Sequence, residues 1–413
     1  MKNILLFSRR PLRRRPLQDW LGDAAARVVL VTPRSAVEGA EEIVTRRFLG
    51  HRLVDSYDSW AADLAAEAAA REFGVGLVAS TSEDDVIRAA RLRERLGLPG
   101  QRPVSAFAYR DKAVMKELIR EAGLAVPHFA PVDHALDLLD FIDAHGYPVV
   151  VKPRFGAGAE GVAMLYTDKD LDAFLTDIPR LGTPLVPGQW MAETFVRAPF
   201  FHVDGIMRDG AVIHSWPAQY SGGVAEHLKE SVGIGSVLLD PADERTPLLQ
   251  NFAADVIAAL PPTDQATAFH LEAWIDGDGR PVLCEIASRA GGALVAEVYE
   301  EAFGVHLARE GLRAQCELPL SLTVQPATPR AVGGWLLLPP GHGRFSPPTG
   351  TCPVPGVSLT VHLDAGTSCA GAQYAGHTAA SVLATAAPGD PADTVSGRLT
   401  EAAEWWARHA GWT

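Results

Sequence analysis

The stretch VVVKPRFGAGAEGVAMLY, Val149 to Tyr166, decides how this chain is read. Inside it Gly156, Gly158 and Gly161 spell G-x-G-x-x-G. A dinucleotide-binding turn needs a strand before those glycines and a capped helix after them. Here Gly161 is followed by Val-Ala-Met-Leu-Tyr, which has no capping residue and reads as a second strand. Strand, glycine loop, strand is the form of a flap that covers phosphates. The His-Arg-Asp and Asp-Phe-Gly motifs of a protein kinase are absent, and the chain has no Gly-Lys pair for a Walker loop. What it does have is Lys152, at the end of the first strand and followed by Pro153. The three glycines free the backbone N–H groups to turn toward phosphate oxygens, and Lys152 adds a charge-assisted contact.

A second signal lies downstream, in Ala268 to Arg289: AFHLEAWIDGDGRPVLCEIASR. Two apolar runs flank Asp276-Gly277-Asp278-Gly279, a strong hairpin turn. A turn centred on Gly277 and Asp278 sets Glu272 opposite Leu283 and His270 opposite Glu285. Residues 270, 272, 283 and 285 then share one face, with the two glutamates one diagonal apart. An odd-length loop would reverse that parity. Two carboxylates this close repel unless a cation sits between them, and Mg2+ suits carboxylate and phosphate oxygens together. Arg289 follows on a turn with Gly291 and Gly292, where a guanidinium can meet an anion.

Further out, the first hundred residues alternate strand and helix patterns. Asn3–Phe7, Val28–Thr32 and Gly76–Ala79 read as buried parallel strands. Ser82 reads as the cap of a charged helix running to Leu96, with Gly97 as its stop. A second helix, about Asp111 to Glu121, ends at Gly123. The first strand leads into Ser8-Arg9-Arg10-Pro11 rather than a glycine turn, so no dinucleotide fingerprint opens this domain. Arg9, Arg10, Arg13, Arg14 and Arg15 fit a solvated surface loop, with an anion or interface role as the alternative. A Pro/Gly-rich stretch from Leu338 to Pro355 marks a C-terminal region with short strands and a final helix, about Asp393 to His409.

With 413 residues, two or three domains are expected. A net charge of −13 argues against a nucleic-acid partner. The four scattered cysteines make neither a disulfide framework nor a zinc site, and predict reduced thiols and a cytoplasmic location. The N-terminal charges follow the apolar run instead of preceding it, so no secretory signal is expected. No window approaches about 18 uninterrupted apolar residues, so no membrane partner is expected.

Taken in order, these segments resemble the ATP-grasp superfamily. RDKAVMKELIREAGLAVP (Arg110–Pro127) resembles the entry to its central domain, and YPVVVKPRFGAGAEGVAML its lysine strand and flap. MAETFV (Met191–Val196) resembles its adenine hinge, HVDGIMRDGAVI (His202–Ile213) the next hairpin, and HLEAW with CEIASRAGG the metal-binding ribbon. The resemblance implies an N-terminal Rossmann-like α/β domain (residues 1–105), an ATP-grasp domain (106–325) with a mobile lid (127–190), and a small C-terminal α+β region (326–413). It implies that Lys112 and Lys152 contact ATP phosphates, with Gly156, Gly158 and Gly161 above them. Glu193 and the backbone of Thr194 and Phe195 would flank adenine. Glu272 and Glu285 would hold Mg2+, with Mn2+ as a substitute. Arg289 would stabilise the reacting acyl species. Two departures stand out. Ala287 occupies a position that is often Asn, and Arg197-Ala198-Pro199-Phe200-Phe201 replaces the residues usually near the ribose, which leaves Asp204 for that contact.

The closing motif and the C-terminal region most resemble carboxylate–amine ligases, among them the L-amino acid ligases. That implies small-molecule carboxylate and amine substrates, activation through an acyl phosphate, and release of ADP and phosphate. The amine needs a base: His270 faces the metal acids, and His202, His214 and His227 are further candidates. A bicarbonate-using carboxylase, a purine-pathway ligase with a phosphorylated amine and a nucleotide-binding protein without turnover stand as alternatives. A homodimer is the default assembly.

Overall fold

The computed structural model describes residues 1–177, 188–222, 233–372 and 376–413. His227 therefore lies outside the described residues, as does part of the expected lid. No helix of the described residues is long and apolar enough to cross a membrane.

β1 (Asn3–Phe7), β2 (Val28–Pro33), β3 (Gly50–Val54) and β4 (Val75–Ser80) form a parallel sheet in the order β3-β2-β1-β4. Successive side chains point to opposite faces, and here both faces are apolar cores. Ile4, Leu6, Val28 and Leu30 enter one; Leu5, Phe7, Val29 and Val31 enter the other. Gly97 ends the helix Val86–Leu96 in the left-handed conformation, at φ 66°. The side chain of Ser82, expected to cap this helix, accepts no backbone N–H, and a short 3-10 turn, Glu83–Asp85, intervenes. Much of the arginine loop is anchored: Arg9 pairs with Asp58 and Asp85, Arg13 donates to the Gly39 carbonyl and Arg15 to the Thr81 carbonyl.

The strands in and just after the expected lid form a second, antiparallel sheet. β5 (Phe129–Val132), β6 (Val149–Pro153), β7 (Ala163–Leu165) and β8 (Trp190–Thr194) take the order β5-β8-β6-β7. β6 and β7 pair antiparallel around the glycine loop, Val149 opposite Leu165. This is the strand–loop–strand form read from the sequence. Leu138, Phe141 and Ile142 of helix Ala135–His145 cover the sheet over Val149, Val151 and Trp190.

The largest sheet has eight strands. β9 (Phe200–Arg208), β10 (Ala211–Ser221), β11 (Ile234–Leu238), β12 (Thr267–Ile275) and β13 (Pro281–Ala287) are joined by β14 (Val332–Leu338), β16 (Val357–Val361) and β18 (Ala380–Ala386). Their order is β13-β12-β9-β10-β11-β14-β18-β16. β14, β16 and β18 thus extend the sheet that carries the acidic ribbon. β15 (His342–Ser346), β17 (Ser368–Ala370) and β19 (Gly411–Trp412) form a small separate sheet. One face of the large sheet packs Phe201, Val203, Phe269, Leu271 and Leu283 against helices Lys112–Glu121 and Arg245–Ala259. The alternate residues His202, Asp204, His270 and Glu272 consequently point to the other face.

Candidate active site

The ribbon β12–β13 pairs differently from the sequence expectation. The loop Asp276–Arg280 has odd length, so Ile275 faces Pro281 and Ala273 faces Leu283. Alone, that register would put Glu285 opposite Leu271, in the apolar core. The register shifts again between Glu272 and Ala273, leaving Cys284 as an extra residue on β13. Glu272 now lies directly opposite Glu285, and His270 opposite Ala287. Leu283, expected on the carboxylate face, belongs to the core instead.

Both carboxylates have cationic or donor neighbours. The Lys112 ammonium lies 3.0 Å from Glu285 and donates to the Gly156 carbonyl at 2.6 Å. One lysine therefore spans the glycine flap and the acidic ribbon. Glu272 accepts from the Tyr220 hydroxyl at 2.7 Å and lies 3.4 Å from His270 Nε2. Burial works against its charge, but His270 and Tyr220 outweigh burial and hold it below the usual carboxylate range. Two partly exposed carboxylates, facing each other on one side of a ribbon, fit a divalent cation of the Mg2+ type.

The second lysine is buried. Lys152 Nζ sits 2.5 Å from Glu193 Oε1. Burial opposes the ammonium, yet Glu193 raises its pKa above the ordinary value. The other oxygen of Glu193 is 3.3 Å from Lys116, which burial pushes down. Lys116 escaped the sequence reading, though it lies one turn from Lys112 on the same helix. The flap base is docked on the same helix start: Arg154 forks onto Asp111, and Arg110 donates to the Phe155 carbonyl at 2.6 Å. Gly158 and Gly161 take positive φ, 61° and 73°.

At the hinge, Glu193 turns inward to the lysines. The Thr194 and Phe195 N–H groups donate to the carbonyls of His128 and Pro148, so their donors are already engaged. Asp204, expected near a ribose, is 2% exposed and has both oxygens occupied. One meets His202 Nδ1 at 2.5 Å and the other His270 Nδ1 at 2.8 Å. His202 Nε2 bonds Ser236 at 2.6 Å. These are hydrogen-bond lengths; neighbouring ligands on a tetrahedral zinc would stand roughly 3.3 Å apart. Burial lowers the His270 pKa, but Asp204 and Glu272 outweigh it and raise it to about 10. His214, bonded to Tyr299, is pushed down to about 4 by burial.

Arg289 reaches back to the N-terminal domain. Its Nη2 and Nε lie 2.5 and 2.8 Å from Glu83 Oε2, and Arg110 holds the other oxygen at 2.6 Å. Burial opposes the guanidinium charge; Glu83, then Glu285 and Glu272, raise its pKa. A cavity of about 650 Å3, lined by Leu77, Arg208, Gln265 and Leu318, shares no residue with this cluster. The lysines, the paired acids and the arginine converge in the charged cluster instead.

Residues 111–200 match the family described as carbamoyl-phosphate synthase L chain, ATP binding domain. A solved L-amino acid ligase from Bacillus licheniformis superposes with a TM-score of 0.72, over 98% of both chains at 17% identity. The chain has the ATP-grasp fold. A carboxyaminoimidazole ribonucleotide synthase from Aspergillus clavatus, solved with ATP, shares this ATP-grasp fold with a TM-score of 0.71, over 99% of both chains at 15% identity. Such identities speak for fold alone. In sequence the chain is 25% identical over 270 residues to the L-arginine-specific L-amino acid ligase of Bacillus subtilis, which is 65% of this chain and 64% of that enzyme's length.

Proposed function

We propose that this ATP-grasp protein joins a carboxylate to an amine at the expense of ATP, with amino acids as substrates. The observation that carries the reading is Lys112: one ammonium touches both the glycine flap and Glu285. A flap and an acidic ribbon so linked can enclose a triphosphate between them. The similarity to L-amino acid ligases supports amino acids over other acids.

In this reading Lys112 and Lys152 offset the phosphate charge and hold the γ-phosphoryl group in line with a substrate carboxylate. Glu272 and Glu285 would hold Mg2+, which supplies further neutralisation of the phosphate oxygens. The carboxylate oxygen attacks the γ-phosphorus and ADP leaves. The amine then attacks the acyl carbon, the C–O bond to phosphate breaks, and the departing phosphate takes the amine's proton. Arg289 faces the charge that develops on the acyl oxygen, after turning from Glu83. The glycine flap keeps water from the acyl phosphate.

The test is phosphate release on mixing Mg2+-ATP with pairs of L-amino acids, with products identified by mass spectrometry. A dipeptide plus one ADP per bond is the expected result. Release that requires bicarbonate would move the reading to a carboxylase. ATP binding with no release across the panel would reduce it to a nucleotide-binding protein.

A further inference from the structure

Lys116 is fully buried, yet none of the roles above uses it. Its ammonium donates to two consecutive carbonyls of β13, Leu283 at 3.2 Å and Cys284 at 2.8 Å. In a regular strand, neighbouring carbonyls point to opposite edges, so one ammonium cannot reach both. At a bulge the local turn of the chain brings them to the same side. These two carbonyls flank the site where the register slips and Glu285 moves opposite Glu272. β13 is also the outermost strand of its sheet among the described residues, so no described strand pairs with its free edge. The third contact of Lys116 is Glu193 on lid strand β8, which in turn holds Lys152.

We propose that Lys116 is a positioning residue that pins the β13 bulge, and so holds Glu285 opposite Glu272 while tying the acidic ribbon to the lid. It rests on the reading of these glutamates as a cation site. A slipped bulge would return β13 to the register set by its turn, where Glu285 faces Leu271 and the carboxylate pair is lost. Lys116 thus acts on the metal ligands without touching metal or substrate.

Lys116→Met keeps the chain length of the side chain and removes its donors. Lys116→Gln keeps a shorter, neutral donor and guards against misfolding of the first variant. The measurement is calorimetric affinity for ADP, once with Mg2+ and once with EDTA, on the full chain with its melting profile recorded. Wild type binds more tightly with Mg2+. In Lys116→Met that advantage falls by about tenfold or more, the range typical of residues behind metal ligands, with a smaller loss in Lys116→Gln. Affinity in EDTA changes less than the advantage does. If either folded variant keeps the full Mg2+ advantage, Lys116 does not position the ribbon. If wild type shows none, the cation site itself is wrong, and the inference goes with it.

Discussion

At the scale of single residues, Glu285 and Arg289 carry different burdens. Glu285 is partly exposed, beside Lys112, so truncation costs little packing. Glu285→Ala should abolish ADP release while the melting temperature stays near wild type, since partly exposed polar sites change stability by only about 0.5 kcal/mol. Normal turnover in that variant would remove the metal assignment. Arg289→Ala should lower kcat on the order of a hundredfold, as for lost oxyanion donors, with nucleotide affinity little changed. An unchanged kcat would leave Arg289 as a mere structural partner of Glu83. Glu83 also gives a pH dependence. Burial raises its pKa, but Arg289 and Arg110 outweigh burial and hold it at about 2. A depressed carboxylate stabilises the fold above its unfolded pKa and loses that stabilisation as pH falls from about 4.5 toward 2. Urea midpoints at pH 7 and pH 3 should therefore drop more in wild type than in Glu83→Gln, and equal drops would count against this pair. The paired acids and the arginine were legible because their chemistry shows as residue types at set spacing. Glu83 and Lys116 were not, because their partners come from distant elements. Asp204 was misjudged because nothing in the sequence shows that two imidazoles converge on it.

At the scale of elements, the glycine flap was read correctly and the acidic ribbon only in part. A glycine loop between apolar runs is a local signal, and β6 and β7 follow it. The ribbon depends on one loop residue and one bulge, each of which moves every later side chain to the other face. Neither leaves a mark in the alternation of apolar residues. β3 went unseen for a similar reason: His51 and Arg52 interrupt its pattern at the sheet edge. Within the flap, Gly158 and Gly161 differ in a testable way. Both have positive φ, which costs a side chain about 1 kcal/mol. A Cβ on Gly158 meets open space, but one on Gly161 comes within 2.9 Å of Pro153 Cγ, next to Lys152. Gly161→Ala should weaken ATP binding more than Gly158→Ala does. Calorimetry giving the reverse order would mean that the flap's tip, not its base, sets the grip.

At the scale of the whole molecule, the sheet decides which parts of the chain stand together. Pro326, Pro329 and the Pro/Gly-rich stretch from Leu338 read as a boundary, because composition shifts there and strand pairing is invisible in a sequence. Yet β11 pairs with β14 from Ile234–Leu337 to Val237–Gly334, and β14 pairs with β18 along its length. β14 is buried at every residue. Trp335 and Leu337 enter the core under helix Val295–Phe303, while Leu336 and Leu338 enter the core beneath the final helix Ala392–His409. A chain cut at residue 325 would expose the hydrogen-bonding edge of β11 and the apolar residues that β14 covers, including Trp216 and Leu238. Burial of each large apolar side chain is worth about 1.5–3 kcal/mol, so a few such losses rival the whole stability of a domain. The exposed edge would also invite pairing with another copy. Residues 1–325 should therefore lack a cooperative melting transition and aggregate, despite retaining Lys112, Lys152, Glu272, Glu285 and Arg289. If that fragment instead melts cooperatively and binds Mg2+-ADP as the full chain does, the last strands are an appendage, and the site needs only the sheet from β9 to β13.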